Sequence, residues 1–199
     1  MTQAAKGRME VEASGAVERA RLGDSDAFRL LVERHGRAIF RLAYRITGNE
    51  EDAEDVVQET FLKAYREIDR YESRCSFSTW LYRIASNCSL DLIRKRKIRE
   101  QKRERGPDPS RDILLSVPAA NPGPDRALFS SQISESVRAA LEELSSQERA
   151  AFVLRHFEGL SIEEIGQALG TGASATKHSI FRAVQKLRRS LEPLVSPPR

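Results

Sequence analysis

The chain has 199 residues, of which 40% are apolar and 31% are charged, and its formal net charge is +4. This length allows one domain or two small ones. No apolar run approaches the roughly 18 residues of a transmembrane helix, and the N-terminus has no apolar signal core, so we expect a cytoplasmic protein without membrane insertion.

The first predicted module is a bundle of three long helices. Apolar residues recur every three or four positions in the first of them, which is predicted to end at Gly48. The second helix begins near Glu50, and Ser76 or Ser78 caps the third after a loop. Helices of this length bury one shared core, so Asp24 to roughly Arg99 is predicted to form a domain.

The last two helices of this module carry charge of opposite sign. Six carboxylates and no cation lie between Glu50 and Glu59, whereas eight cations stand against two carboxylates between Arg94 and Arg105. Carboxylates complement the positive end of a helix, but that effect explains only part of so dense a cluster. The acidic end suits a basic protein partner, and the basic end suits phosphates.

The composition changes over the linker predicted at residues 101–126. Five prolines within it block continued helix, which predicts an extended, flexible tether that reaches at most about 85 Å. An apolar island lies inside it, formed by Ile113, Leu114, Leu115 and Val117. The island could contact a partner or an inhibitor, and the sequence leaves both open.

Two helices of the second module are predicted to begin with the same capping motif. Ser145 with Glu148, and Ser161 with Glu164, each have the spacing of a capping box, in which a serine and a glutamate satisfy each other's backbone N–H groups. The first box opens a helix with an apolar face, and the second opens a shorter helix that ends before Gly170.

A short helix over Ile162–Leu169, a turn with glycine and a longer helix capped by Ser174 form the pattern of a helix-turn-helix. The longer helix is rich in cations and polar side chains, which suit phosphates and base edges in a major groove. These residues are Lys177, His178, Arg182, Gln185, Lys186, Arg188 and Arg189. The alternative is a plain helical hairpin with a solvated basic face.

Four segments in this order resemble the extracytoplasmic-function (ECF, group 4) sigma factors of the sigma-70 family, over about residues 16–192. They are DAEDVVQETFLKAY at Asp52–Tyr65, FSTWLYRIASN at Phe77–Asn87, LSIEEIGQALG at Leu160–Gly170 and TKHSIFRAVQKLR at Thr176–Arg188. The resemblance implies an all-α fold of two small helical domains joined by a flexible linker. Its boundaries are a tail (1–15), sigma region 2 (16–100), the linker (101–126), sigma region 4 (127–193) and a second tail (194–199).

The resemblance also implies a function. Such a factor binds core RNA polymerase, at the clamp helices of its largest subunit and at its flap. It directs the polymerase to −35 and −10 promoter elements and helps to melt the −10 region. It is not an enzyme, it needs no cofactor or metal, and we expect an anti-sigma factor to control it. Cys75 and Cys88, whose spacing fits no metal site, are expected to be reduced thiols.

The family's functional residues map onto this sequence in three groups. Polymerase binding is assigned to Asp52, Glu54, Asp55, Gln58 and Glu59. Contacts with −10 DNA are assigned to Tyr71, Phe77, Trp80, Asn87, Arg94, Lys95, Arg96 and Lys97, with Trp80 equally fit for the core. Contacts with −35 DNA are assigned to Lys177, His178, Phe181, Arg182 and Lys186, the first four of them as base-reading residues. The chain departs from the family pattern at Ser174, Ala175, Thr176 and Ser179, which leaves its −35 preference open.

Two other functions remain to be distinguished. A stand-alone transcription regulator would bind duplex DNA tightly through the helix-turn-helix without polymerase. An interaction adaptor with an incidental basic face would bind nucleic acid weakly, or in a way that salt does not change.

Overall fold

The computed structural model describes residues 15–73, 75–104, 137 and 139–195, with side chains as far as residues 101 and 192. Over these residues the fold is all-α, as predicted, and contains no strand. No helix in this part of the chain combines the length and apolarity that a membrane crossing requires. Most of the predicted linker and the apolar island within it lie outside the described residues.

The first module contains the three predicted long helices after a short one. These helices are α1 (residues 15–21), α2 (Ser25–Thr47), α3 (Glu50–Glu67) and α4 (Phe77–Glu104), with a 3₁₀ turn at Ile68–Arg70. The predicted end of α2 is confirmed, because Gly48 adopts the left-handed φ of 73°. Of the two serines proposed to cap α4, Ser76 does so, since its Oγ accepts from the Thr79 N–H at 3.1 Å.

The second module contains α5 (described at 137 and 139–142), α6 (Ser146–His156), α7 (Ile162–Leu169) and α8 (Ala173–Val195). Both predicted capping boxes are present, at the starts of α6 and α7. The predicted cap at Ser174 is wrong. The backbone N–H of Thr176 donates to the Gly172 carbonyl at 3.0 Å and its hydroxyl donates to the same oxygen at 3.1 Å, so α8 starts at Ala173, two residues earlier than a cap at Ser174 would place it.

The two modules share a core. Helices α2, α3 and α4 pack on one another, while α6 packs on α2 and α7 packs on α4. One continuous cluster of buried apolar side chains includes Leu42, Ile46 and Leu81 of the first module and Leu154 and Ile165 of the second. Burial of each such side chain contributes about 1.5–3 kcal/mol, so this contact is a substantial one. The sequence predicted two modules and did not predict that they meet.

Candidate polymerase and nucleic-acid surfaces

Helix α3 presents one acidic face to solvent. Ala53, Val56 and Phe61 are buried on its inner side. The opposite side exposes four of the five predicted polymerase contacts, namely Glu54, Asp55, Gln58 and Glu59. Asp52 differs, because its side chain is only 19% exposed and its Oδ2 lies 2.8 Å from Nη1 of Arg96 on α4.

This ion pair lies at one end of a groove between α3 and α4. Further along the groove, the Lys63 ammonium lies 3.4 Å from Glu59 and 3.5 Å from the Cys88 sulfur. Burial raises the pKa of the Cys88 thiol, although nearby Lys63 acts in the opposite direction, so the thiol form predominates at neutral pH. The acidic and basic ends of the first module, separate in the sequence, therefore border one groove.

The aromatic residues predicted to capture −10 bases pack on one another. The ring centroids of Tyr71, Phe77 and Trp80 are 5.4–5.5 Å apart, and the His35 ring lies 5.5 Å from that of Phe77. The Tyr71 hydroxyl donates to the Cys75 carbonyl at 2.6 Å. Tyr71 and Phe77 are buried, with 7% and 6% exposed, whereas Trp80 is half-buried. These rings form a packed cluster and not an open pocket.

The rest of the −10 group lies on the outer side of α4. Asn87 is exposed, and so are Arg94, Lys95, Arg96 and Lys97 near the end of the described side chains. Arg94 pairs with Asp91 at 3.1 Å, within the same helix. This stretch offers a polar amide in mid-helix and a dense group of cations beyond it, which is the chemistry that contacts to bases and to DNA phosphates require.

Helix α8, the predicted recognition helix, exposes four of the five residues predicted to contact −35 DNA. Lys177, His178, Phe181 and Arg182 all face solvent, and Phe181 is 60% exposed. Lys186 differs, because its Nζ lies 2.7 Å from Oε2 of the buried Glu148 on α6. Burial would raise the pKa of Glu148, but hydrogen bonds from Lys186 and Ser145 outweigh it and hold that pKa low. Lys186 therefore also fixes α8 on α6.

A glycine that the sequence analysis passed over sets the packing within the helix-turn-helix. A Cβ at Gly166 would lie 2.7 Å from the Thr171 carbonyl oxygen and 3.3 Å from the Thr176 hydroxyl. Any side chain there would push the turn away from α7. A glycine inside an otherwise helical pattern often marks such a close backbone approach, so the signal was present in the sequence.

Both modules match known sequence families. A profile for Sigma-70 region 2 matches residues 31–99, and a profile for Sigma-70, region 4, matches residues 134–187. The first match covers α3, the aromatic cluster and the basic end of α4, and the second covers the helix-turn-helix. The two profiles therefore cover every surface described above.

Whole proteins and a solved structure are also similar to this chain. The ECF RNA polymerase sigma factor SigW of Bacillus subtilis is 33% identical over 94% of this chain and its own full length. SigE of Mycolicibacterium smegmatis, another ECF RNA polymerase sigma factor, is 40% identical over 79% of this chain, which spans 59% of SigE. CnrH, solved in complex with the cytosolic domain of CnrY, is 27% identical, with a TM-score of 0.64 over 91% of this chain and 97% of CnrH.

Proposed function

The chain belongs to the ECF group of sigma-70 RNA polymerase sigma factors, and we propose that each surface described above has a defined role in transcription initiation. The exposed face of α3 binds the clamp helices of the largest polymerase subunit. The aromatic cluster and α4 melt and hold the −10 element, and α8 reads the −35 element. A protein partner of the anti-sigma kind controls the factor, and initiation, not catalysis, is its task.

One observation carries this proposal. The chain exposes an acidic face on α3 and two separate sets of cationic and polar side chains, one on α4 and one on α8, which the proposal assigns to DNA. A stand-alone regulator needs the recognition helix alone, whereas a factor that links polymerase to two promoter elements needs all three surfaces. The family match to both regions supports the second function and does not favour the first.

The first test is run-off transcription with purified core polymerase on a pool of genomic promoters, with and without this protein. New discrete transcripts that require the protein are expected, and their start sites identify the −10 and −35 sequences together. Specific duplex binding by the protein alone, with no transcripts, would instead indicate a stand-alone regulator.

The polymerase surface is tested by the double variant Asp55→Arg with Gln58→Ala. Both side chains are exposed on α3, so the fold is expected to persist while binding to core polymerase weakens. Asp26→Arg on α2 is a matched control, because it reverses an exposed carboxylate outside the proposed surface. Wild-type retention of the double variant in a polymerase pull-down would exclude the assignment.

The role in melting is tested most cleanly at Asn87, because it is exposed whereas Phe77 is buried. Asn87→Ala is expected to reduce permanganate reactivity of the −10 strand more than it reduces closed-complex binding. Arg83→Ala, an exposed change one turn earlier on α4, is the control. Equal loss of binding and of reactivity in the Asn87 variant would mean that the residue positions the duplex and does not hold the melted strand.

A further inference from the structure

A groove runs between α2 of the first module and helices α5 and α6 of the second. Its volume of about 400 Å³ lies within the range of small-molecule sites, which is roughly 300–1,000 Å³. Aromatic rings and guanidinium groups both line it. We call it the junction groove and define it by six side chains, namely Phe40, Arg41, Tyr44, Arg45, Arg149 and Phe157.

The apolar walls of the junction groove present ring faces to solvent. The Phe40 and Tyr44 rings, one turn apart on α2, are nearly parallel, with an angle of 12° between them and centroids 6.3 Å apart. Tyr44 is 44% exposed and Phe157 is 52% exposed, although the Arg45 guanidinium lies 4.2 Å from the Phe157 ring centroid. Exposed rings that border one cavity favour a flat apolar ligand, which can stack on them and remove them from water.

The cationic side of the groove includes a donor without a partner. Nη1 of Arg149 donates to the Ile46 carbonyl at 3.3 Å. Nε of the same guanidinium is buried and has no hydrogen-bond partner among the described residues. A buried N–H without a partner is uncommon, because it loses its bond to water and gains none in return. A carboxylate or sulfonate oxygen would satisfy this donor with a charge-assisted hydrogen bond.

The charges around the groove favour an anion. Arg45 is already paired with Glu158 at 3.7 Å. Arg41 is exposed and Arg149 is half-buried, so both guanidinium groups add positive charge at the groove. Among the described residues that line it, Glu142 is the only carboxylate. The remaining balance is positive, and a positive, partly enclosed site attracts anions.

We propose that the junction groove binds a small aromatic anion, whose ring stacks on the exposed aromatic side chains and whose carboxylate or sulfonate group accepts from Arg149. This site is additional to the surfaces proposed for transcription initiation, and its existence does not depend on them. The ligand contacts residues that only the folded chain brings together, so its binding is expected to raise the melting temperature of the free protein.

The test uses two fluorescent probes that share one aromatic body. 8-Anilinonaphthalene-1-sulfonate carries an anionic group, and N-phenyl-1-naphthylamine is the same molecule without the sulfonate. Each is titrated with the full-length protein, and the rise in probe fluorescence measures binding. We expect one saturable site for the sulfonate and an affinity roughly tenfold higher than that of the neutral probe, because only the sulfonate accepts a charge-assisted hydrogen bond.

The anion-binding side is tested by substitutions of Arg149. Arg149→Met is expected to abolish the roughly tenfold preference for the sulfonate and to leave the neutral probe bound. Arg149→Lys keeps the charge but lacks the planar guanidinium, so it is expected to retain only part of the preference. Arg29→Met removes an exposed arginine near the start of α2, outside the groove, and is expected to match the wild type.

The aromatic side is tested by Tyr44→Ala. This variant is expected to weaken the binding of both probes roughly threefold to tenfold, because each loses a ring on which to stack. Phe181→Ala is the matched control, since it removes another exposed ring, on α8 and far from the groove in the sequence. Both changes are at exposed positions, so the fold is expected to persist, and circular dichroism checks that it does.

Equal affinity of the wild type for the two probes would overturn the proposal, and so would a sulfonate preference that Arg149→Met leaves unchanged. If that variant loses its helical signal, Arg41→Met, an exposed change in the same groove, replaces it, and an unchanged preference there counts equally against the site. Probe binding that Phe181→Ala weakens as much as Tyr44→Ala does would mean that the probes bind scattered apolar surface, and would also overturn the proposal.

Discussion

The two surfaces proposed to bind DNA differ in how far their side chains are exposed in the free protein. On α8, Lys177, His178 and Arg182 are exposed. In the first module, Tyr71 and Phe77 are buried in a cluster with Trp80. The side chains proposed for the −35 element are therefore already exposed, whereas the proposed capture of a −10 base requires the aromatic cluster to rearrange.

The difference follows from the chemistry of each task. Major-groove recognition uses charged and polar groups, which water satisfies while the DNA is absent. Capture of an unstacked base uses aromatic faces, which would be costly to leave in water and so pack on one another. The aromatic cluster proposed to bind −10 bases therefore contributes to the stability of its own domain while DNA is absent.

The largest expected effect tests this difference directly by comparing two phenylalanines. Phe77→Ala removes a buried ring that contacts Tyr71, Trp80 and His35, and is expected to reduce the free energy of unfolding by about 3–5 kcal/mol. Phe181→Ala removes an exposed ring and is expected to change it by less than about 0.5 kcal/mol. Urea denaturation followed by circular dichroism measures both.

Phe77→Leu separates packing from aromatic chemistry. It keeps most of the buried volume, so it is expected to recover much of the stability while promoter opening stays impaired. If Phe77→Ala reduces the free energy of unfolding no more than Phe181→Ala does, the aromatic cluster does not stabilise the domain, and the proposed difference between the two surfaces is wrong.

The second prediction concerns two lysines of α8 that the sequence placed in one group. Lys186→Met leaves the buried Glu148 carboxylate without its cation and is expected to cost about 2–3 kcal/mol of unfolding free energy. Lys177→Met removes an exposed cation and is expected to leave stability within about 0.5 kcal/mol.

Promoter binding at several salt concentrations completes that test. Loss of a phosphate contact lowers the slope of log affinity against log salt by about one. We expect the smaller slope for Lys177→Met and not for Lys186→Met. If Lys186→Met instead shows the smaller salt slope and keeps its stability, Lys186 leaves Glu148 to contact DNA.

Much of this architecture was predictable because local signals agree with the fold. Helix periodicity predicted α2, α3 and α4, and the serine–glutamate spacing predicted the starts of α6 and α7. At Ser174 a good capping residue was present, but the start of α8 is set by the Gly172 carbonyl, which is a property of backbone geometry. The exposed polar groups of α3 and α8 also followed from periodicity, since residues that are not inward face solvent.

The relation between the modules was not predictable in this way. Arg45 and Glu158 are 113 positions apart in the sequence, and each alone resembles an ordinary surface charge. The burial of Tyr71 and Phe77 was not predicted for a related reason, because their assignment to the −10 element did not include how their rings pack on each other. Periodicity shows which face of a helix is apolar and does not show what covers that face.

The third prediction extends the comparison to pH. Burial, with a smaller effect of Arg34, lowers the pKa of His35 beside Phe77 from 6.5 to about 4. The unfolded chain therefore binds a proton below about pH 6.5 that the folded chain does not bind until about pH 4. The free energy of unfolding is expected to fall by about 2 kcal/mol over that interval, after allowance for partial exposure.

His35→Leu is expected to remove this pH dependence, while His178→Leu on the exposed recognition helix serves as the control. Urea denaturation at pH 7, 6, 5 and 4 measures how steeply the free energy of unfolding falls with decreasing pH in each protein. If the free energy of unfolding of His35→Leu still falls with decreasing pH as it does in the wild type, carboxylates cause the acid sensitivity. His35 would then not contribute to the pH dependence of the aromatic cluster.

The smallest effect expected concerns the ion pair that joins the acidic and basic ends of the first module. Arg96→Gln breaks a contact between α4 and Asp52 of α3, whereas Arg94→Gln breaks a more exposed contact within α4. Partly exposed pairs contribute little, so we expect a loss below about 1 kcal/mol for Arg96→Gln and a smaller one for Arg94→Gln. Salt near 1 M should abolish both differences if charge is their cause. If high salt leaves the stability loss of Arg96→Gln unchanged, the methylene stem of this arginine packs between the helices. Apolar contact, and not charge attraction, would then hold the two charged ends of the module together.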